Sequence, residues 1–109
     1  MAALWVQKRS VYRAIAVVEC WDEARDAYTY DGPHPVICHP PCGPWGKLAW
    51  RSRQDKWAGV CALALVARFG GVVEQPYSSS LFVGGQVVEQ RDFGHRAIKR
   101  TRLLWNPPL

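Results

Sequence analysis

The sequence predicts a small α/β domain with a mainly parallel sheet, on three observations. An apolar helical stretch from about Gln54 to Phe69 stands between two short apolar runs, Val36-Ile37-Cys38 and Gly71-Val72-Val73-Glu74. Strand, helix and strand joined by short connections make a right-handed parallel crossover. The 109 residues are enough for one core, so residues 1–109 are expected to form a single domain. Hydrophobic residues make up 49% and charged residues 21%, which is apolar enough to fold and argues against intrinsic disorder.

Each element follows from local composition. Leu4 to Gln7 and Ala14 to Glu19 are short apolar runs that read as strands, with Ser10 to Arg13 as a turn between them. Trp21 to Asp31 is acidic and turn-rich, and Gly32-Pro33-His34-Pro35 is a loop. Val36-Ile37-Cys38 is a short buried strand bounded by prolines. His39-Pro-Pro-Cys-Gly-Pro-Trp-Gly46 carries three prolines and two glycines, which exclude helix and sheet and leave a stiff loop.

The helix that follows places Trp57, Cys61, Ala64, Leu65 and Arg68 on one stripe. Its other positions are mostly small or apolar, so it should be well buried, and Gly70-Gly71 stop it. Gly71 to Glu74 is the next strand, ended by Gln75-Pro76, and Ser78 to Phe82 form a short helical turn. Gln86 to Gln90 and Thr101 to Trp105 are two further strands, the last antiparallel, joined by the basic segment Arg91 to Arg100.

The net charge of +5 is segregated. Lys47, Arg51, Arg53 and Lys56 face only Asp55 in one stretch, and Arg91, Arg96, Lys99, Arg100 and Arg102 face only Asp92 in another. Glu19 to Asp31 is acidic. Such segregation gives a folded domain a positive face, the footprint of a nucleic-acid or polyphosphate partner, although a solvated basic surface with no partner has the same composition. No apolar run approaches the ~20 residues that cross a bilayer. Lys8 and Arg9 follow the apolar N-terminal residues, the wrong order for a signal peptide. A cytoplasmic location without membrane contact is therefore expected, with Cys20, Cys38, Cys42 and Cys61 reduced.

Ligands of open parallel sheets sit beyond the carboxyl ends of the strands. Cys42 follows one such end and Glu74 stands at another, so a thiol and a carboxylate share an edge as a nucleophile and acid pair. Plainer roles fit the same residues. Cys42 also suits a crowded turn, and Glu74 an ion pair with Arg96 or Arg100. His95 suits a general base or a turn hydrogen bond. Cys38, His39 and Cys42 suggest zinc, but neighbouring residues at a strand end point to opposite faces and no metal is expected. Most of the six tryptophans, Trp50 included, are assigned to the core; Trp45 is left open between the core and stacking on a base.

His39 to Gly46 resembles the proline-cysteine loop of the cytosine-5 DNA methyltransferases. Gly71-Val-Val-Glu-Gln-Pro76 resembles their strand-end glutamate motif, and Gln90 to Arg102 is similar to their later basic segment, whose arginines contact the target base and phosphates. Over most of residues 4–105 the chain resembles a family of short phage and prophage proteins. These share the motifs above together with a serine and tyrosine matching Ser10 and Tyr12 and an acidic-arginine stretch matching Trp21 to Ala27.

The resemblance implies a truncated Rossmann-like methyltransferase core in which Cys42 adds to carbon 6 of a flipped-out cytosine while Glu74 holds and protonates ring nitrogen 3. Lys47, Arg51, Arg96, Lys99 and Arg100 would contact nucleic acid. S-adenosylmethionine is the cofactor so implied, but its glycine-rich turn is absent, since no glycine precedes Gly32. A target-recognition domain is also absent and Gly43 stands where the family carries glutamine or a similar polar residue; relative to the short phage proteins, only Val83-Gly84-Gly85 remains of a longer connection.

Two functions are therefore carried forward. One is a nucleic-acid-associated protein of phage type that modifies a DNA base or nucleotide with Cys42 as nucleophile. The other is a non-catalytic module on a degenerate methyltransferase core that binds nucleic acid or a host or defence protein, as a counter-defence or inhibitor protein would. A homodimer that covers exposed sheet edges fits either function.

Overall fold

A computed structural model describes residues 1–5, 19–21, 26–89 and 100–107. Among these residues, β1 (Ala2–Leu4), β2 (Glu19–Trp21), β3 (Val36–Cys38), β4 (Gly71–Pro76), β5 (Gln86–Glu89) and β6 (Arg100–Asn106) form one sheet in the order β2-β1-β3-β4-β6-β5. The helix α1 (Trp57–Phe69) connects β3 to the adjacent parallel β4, as the strand-helix-strand pattern requires.

The α/β class holds, but the sheet is mixed rather than mainly parallel. β2, β1, β3 and β4 are joined by parallel pairings of three residues each. β6 inserts antiparallel between β4 and β5, with pairings of six and four residues. The antiparallel ladder is the longer because β4 does not stop at Glu74. Its pairing with β6 runs from Gly71 opposite Asn106 to Pro76 opposite Thr101, so Gln75 and Pro76 belong to the strand. Proline is tolerated there because its nitrogen faces away from β6, and β3 on the other side pairs only as far as Val73.

Several boundaries move. β1 ends at Leu4 because Trp5 turns the chain with φ at 57°, and residues 6 and 7 of the expected strand lie outside the described residues. β2 begins at Glu19, the last residue of the run expected to form it; residues 14–18 and the Ser10 to Arg13 turn also lie outside. The proline-rich loop contains a short 3-10 turn at Gly43–Trp45, which accepts Pro44 because a first-turn N–H has no helical partner to lose. In place of the helical turn expected over Ser78 to Phe82 there is a turn at Tyr77 and Ser78 and a bend at Ser80 and Leu81.

The helix starts at Trp57, three residues later than expected, with the Asp55 carboxylate accepting the Trp57 backbone N–H at 3.0 Å. Its buried face is Ala58, Gly59, Ala62, Leu65 and Val66, not the stripe through Trp57, Cys61 and Arg68. A helix that is apolar almost all round has no phase that periodicity can choose. The small side chains choose it here. A Cβ on Gly59 would lie 2.7 Å from the Trp45 indole nitrogen and 2.9 Å from Leu81, so only glycine lets the proline loop close on the helix. Gly70 stops the helix with φ at 81°, and the Asn106 amide donates to the Val66 carbonyl at 2.9 Å.

The core lies between α1 and one face of the sheet, built from Ala2, Leu4, Val36, Cys38 and Val73 against Ala62, Leu65 and Val66, with Tyr30 and Leu81 at its margins. Alternation along β4 sends Val73 and Gln75 to this face and Glu74 to the other. Cys38, Cys42 and Cys61 are free thiols. No helix among the described residues is long and apolar enough to cross a membrane.

A candidate thiol cleft at the ends of β3 and β4

The parallel register of β3 and β4 sets the chemistry of this edge. Cys38 stands opposite Val73, so His39 comes level with Glu74, and His39 Nδ1 lies 2.8 Å from Glu74 Oε2. Both side chains are partly exposed. The loop leaving His39 is then fastened from below. Gln75, 2% exposed, donates from Nε2 to the Pro40 carbonyl at 2.8 Å and accepts the Ser79 hydroxyl at 2.8 Å. Ser79 Oγ in turn accepts the Leu81 N–H at 3.2 Å. Ser80 donates from its backbone N–H and its hydroxyl to the Trp45 carbonyl at 2.8 and 3.0 Å. The Gly43 N–H donates to Gln54 Oε1 at 2.9 Å.

Between this loop and the end of β4 opens a cleft of about 320 Å³, lined by Cys42, Gly43, Gly46, Lys47, Leu48, Pro76, Ser78 and Ser79. Cys42 is exposed. Cys38 and Cys61 are shifted toward the protonated form. Burial raises Cys38 to about 12, with a smaller contribution from Cys61, and burial also raises Cys61, followed by the charges of Asp26 and Asp55. Of these three thiols Cys42 is the exposed one, so it is the one a reagent or ligand reaches from solvent.

The residues singled out by sequence fall into separate groups. Lys47 shares the cleft with Cys42, and Arg51 is exposed in the neighbouring 3-10 turn Ala49–Arg51. Glu74 is not among the cleft-lining residues; it sits on the opposite face of β4 from α1, beside His39. Arg100 lies 3.8 Å from Glu89, its register partner across β5 and β6, and 5.9 Å from the Tyr77 ring. Of the two arginines expected to pair with Glu74, Arg100 stands instead beside its register partner Glu89. Arg96, Lys99 and His95 lie outside the described residues.

The tryptophans also need correction. Trp45 packs against the core under the Lys56 ammonium, 5.3 Å from its ring centre, whereas Trp50 is 81% exposed and Trp57 69% exposed. Trp50 sits in a three-residue turn that has no buried face to receive it. Sequence reasoning missed the Gln75 clamp and the His39 partner of Glu74. The second was reachable by extending the β3 and β4 register one residue past Cys38.

No group of three His, Cys, Asp or Glu suited to a metal ion occurs among the described residues. The glycine-rich turn implied for S-adenosylmethionine would follow β1, where residues 6–18 lie outside the described residues. Trp5, directly after β1, packs against the core and edge-on to Tyr28 with ring centres 5.9 Å apart. Comparison of the chain with protein-family models, with curated proteins and with solved structures finds no match in any of the three.

Proposed function

We propose that this chain is a nucleic-acid-associated protein of phage type whose cleft takes a single unstacked base, with Cys42 as the attacking thiol. The observation that carries this reading is an exposed cysteine at the carboxyl edge of parallel strands, opening into a cleft with a lysine in its wall. The sheet, with its antiparallel β6 inserted beside β4, supports descent from a cut-down methyltransferase core. Methyl transfer is not part of the proposal, because no glycine precedes Gly32 to form the cofactor turn.

The chemistry that remains is reversible. The Cys42 thiolate adds to carbon 6 of a cytosine, and the displaced electron pair moves to carbon 5, which takes a proton from solvent. Loss of a proton from carbon 5 then expels the thiolate. Each cycle exchanges the carbon 5 hydrogen with solvent and consumes nothing. In deuterated buffer, a cytosine-containing single strand incubated with the protein gains deuterium at carbon 5, and Cys42→Ser stops the gain. Absence of exchange with the unmodified protein overturns the catalytic reading.

One observation favours a second reading, a non-catalytic binding module. Glu74, the acid expected at ring nitrogen 3, is bound to His39 and does not line the cleft. On that reading nucleic acid binds with steep salt dependence, and Cys42→Ser binds as tightly as the unmodified protein.

A further inference from the structure

We infer that Trp50 is a base-stacking platform for single-stranded nucleic acid, placed beside the cleft with Lys47, Arg51 and Arg53 as its phosphate contacts. The inference rests on the nucleic-acid reading and adds to it a second contact point and a strand preference. An indole 81% exposed costs a folded protein apolar hydration, and no hydrogen bond or ring contact among the described residues engages it. Its position ties it to the cleft. Leu48, two residues before it, lines the cleft wall and is itself 52% exposed.

The charge around the indole selects the occupant. Ion pairs among the described residues join His39 to Glu74, Arg68 to Asp31 and Arg100 to Glu89, and none engages Lys47, Arg51 or Arg53. Asp55, the one acid of this stretch, is turned away toward the Tyr28 hydroxyl and the Trp57 N–H. Exposed cations that flank an exposed indole in the chain, without acid partners among the described residues, match a polyanion that carries aromatic rings. Duplex DNA hides its base faces, whereas a single strand offers one at every residue. A base in the cleft and a neighbour on Trp50 would hold the strand at two points, which an isolated nucleotide cannot use.

Fluorescence anisotropy with labelled 12-residue oligonucleotides tests this. Arms of single-stranded DNA, single-stranded RNA and duplex DNA show which polymer is held. Trp50→Ala should weaken single-strand binding about 5- to 150-fold, the range measured for lost base stacking. Trp50→Phe should restore most of it. The double variant Arg51→Ala and Arg53→Ala should lower the slope of log affinity against log salt by about 1.4. The indole is exposed, so these variants should keep the unmodified circular dichroism spectrum and melting temperature.

Unchanged affinity in Trp50→Ala overturns the platform while leaving the cleft reading standing. Equal binding of duplex and single strand also overturns it. Failure of the unmodified protein to bind any arm at low salt overturns the nucleic-acid reading and the platform together. Loss of self-association in Trp50→Ala, seen by sedimentation, with oligonucleotide binding intact, assigns the indole to a contact between copies and overturns the platform.

Discussion

Replacing Gln75 with methionine should loosen the thiol loop without emptying the space beneath it. The side chain is 2% exposed and makes two 2.8 Å hydrogen bonds, one to the Pro40 carbonyl and one from the Ser79 hydroxyl. Methionine fills nearly the same volume and can make neither. The Pro40 carbonyl and the Ser79 hydroxyl would then be left in a dry interior, at about 1–3 kcal/mol for each group without a partner. Ser79 keeps its acceptor role toward the Leu81 N–H, so the sum falls near ~2–4 kcal/mol. At ~4–8 °C per kcal/mol for a domain of this size, the melting temperature should fall by at least ~8 °C. Gln75→Glu should cost more, since its carboxylate would face a carbonyl oxygen. Ser80→Ala should cost under ~1 kcal/mol because the Ser80 N–H still reaches Trp45. Urea titration of the variants measures the differences. A Gln75→Met midpoint equal to that of the unmodified protein would refute the clamp.

Two other perturbations probe the frame. Gly71 has φ at 118°, and a Cβ there would come within 1.9 Å of the Val36 carbonyl oxygen, so Gly71→Ala should destabilise by more than ~3 kcal/mol and prevent soluble expression. Near-unmodified stability of that variant would refute the close packing of β3 on β4. Burial lifts Cys38 to about 12 in the folded chain, while the unfolded thiol ionises near ~8.5. The unfolded chain therefore loses its proton first as pH rises. The stability from a protonated Cys38 is full below ~8.5 and is lost between there and about 12, by up to ~1.4 kcal/mol per pH unit. Urea midpoints at pH 7 and pH 10.5 should show a steeper alkaline fall in the unmodified protein than in Cys38→Ala, and equal falls would contradict the assignment.

The legible parts of this fold are those where one local signal acts alone. Prolines on both sides fixed Val36–Cys38 as a strand, and Gly70 fixed the end of α1. The phase of α1 was not legible, because Trp57 and Val60 are as apolar as the residues that are buried, and the choice rests on Gly59 meeting Trp45 and Leu81. The length of β4 was hidden for a related reason. Gln75 and Pro76 are turn-formers by propensity, and only pairing with β6, some 25 residues on, makes them strand. At the site, Cys42, Lys47 and their loop were readable from composition. Glu74 was readable as a residue but not in its partner, since His39 reaches it only through the register of two strands. The exposure of Trp50 was misread because six tryptophans in a short chain suggest core, and nothing local marks the one that a three-residue turn leaves outside.

Protection of Cys42 from alkylation is the most direct test of the cleft. Iodoacetamide labelling, read by mass spectrometry for each cysteine, should modify Cys42 well before the buried Cys38 and the shielded Cys61. A saturating single-stranded, cytosine-containing oligonucleotide should then slow labelling of Cys42 at least about tenfold while leaving Cys61 unchanged, because a base seated in the cleft covers the sulfur. Cys42 labelling at the same rate with the oligonucleotide bound would mean that nucleic acid sits elsewhere, and would contradict the assignment of this cleft.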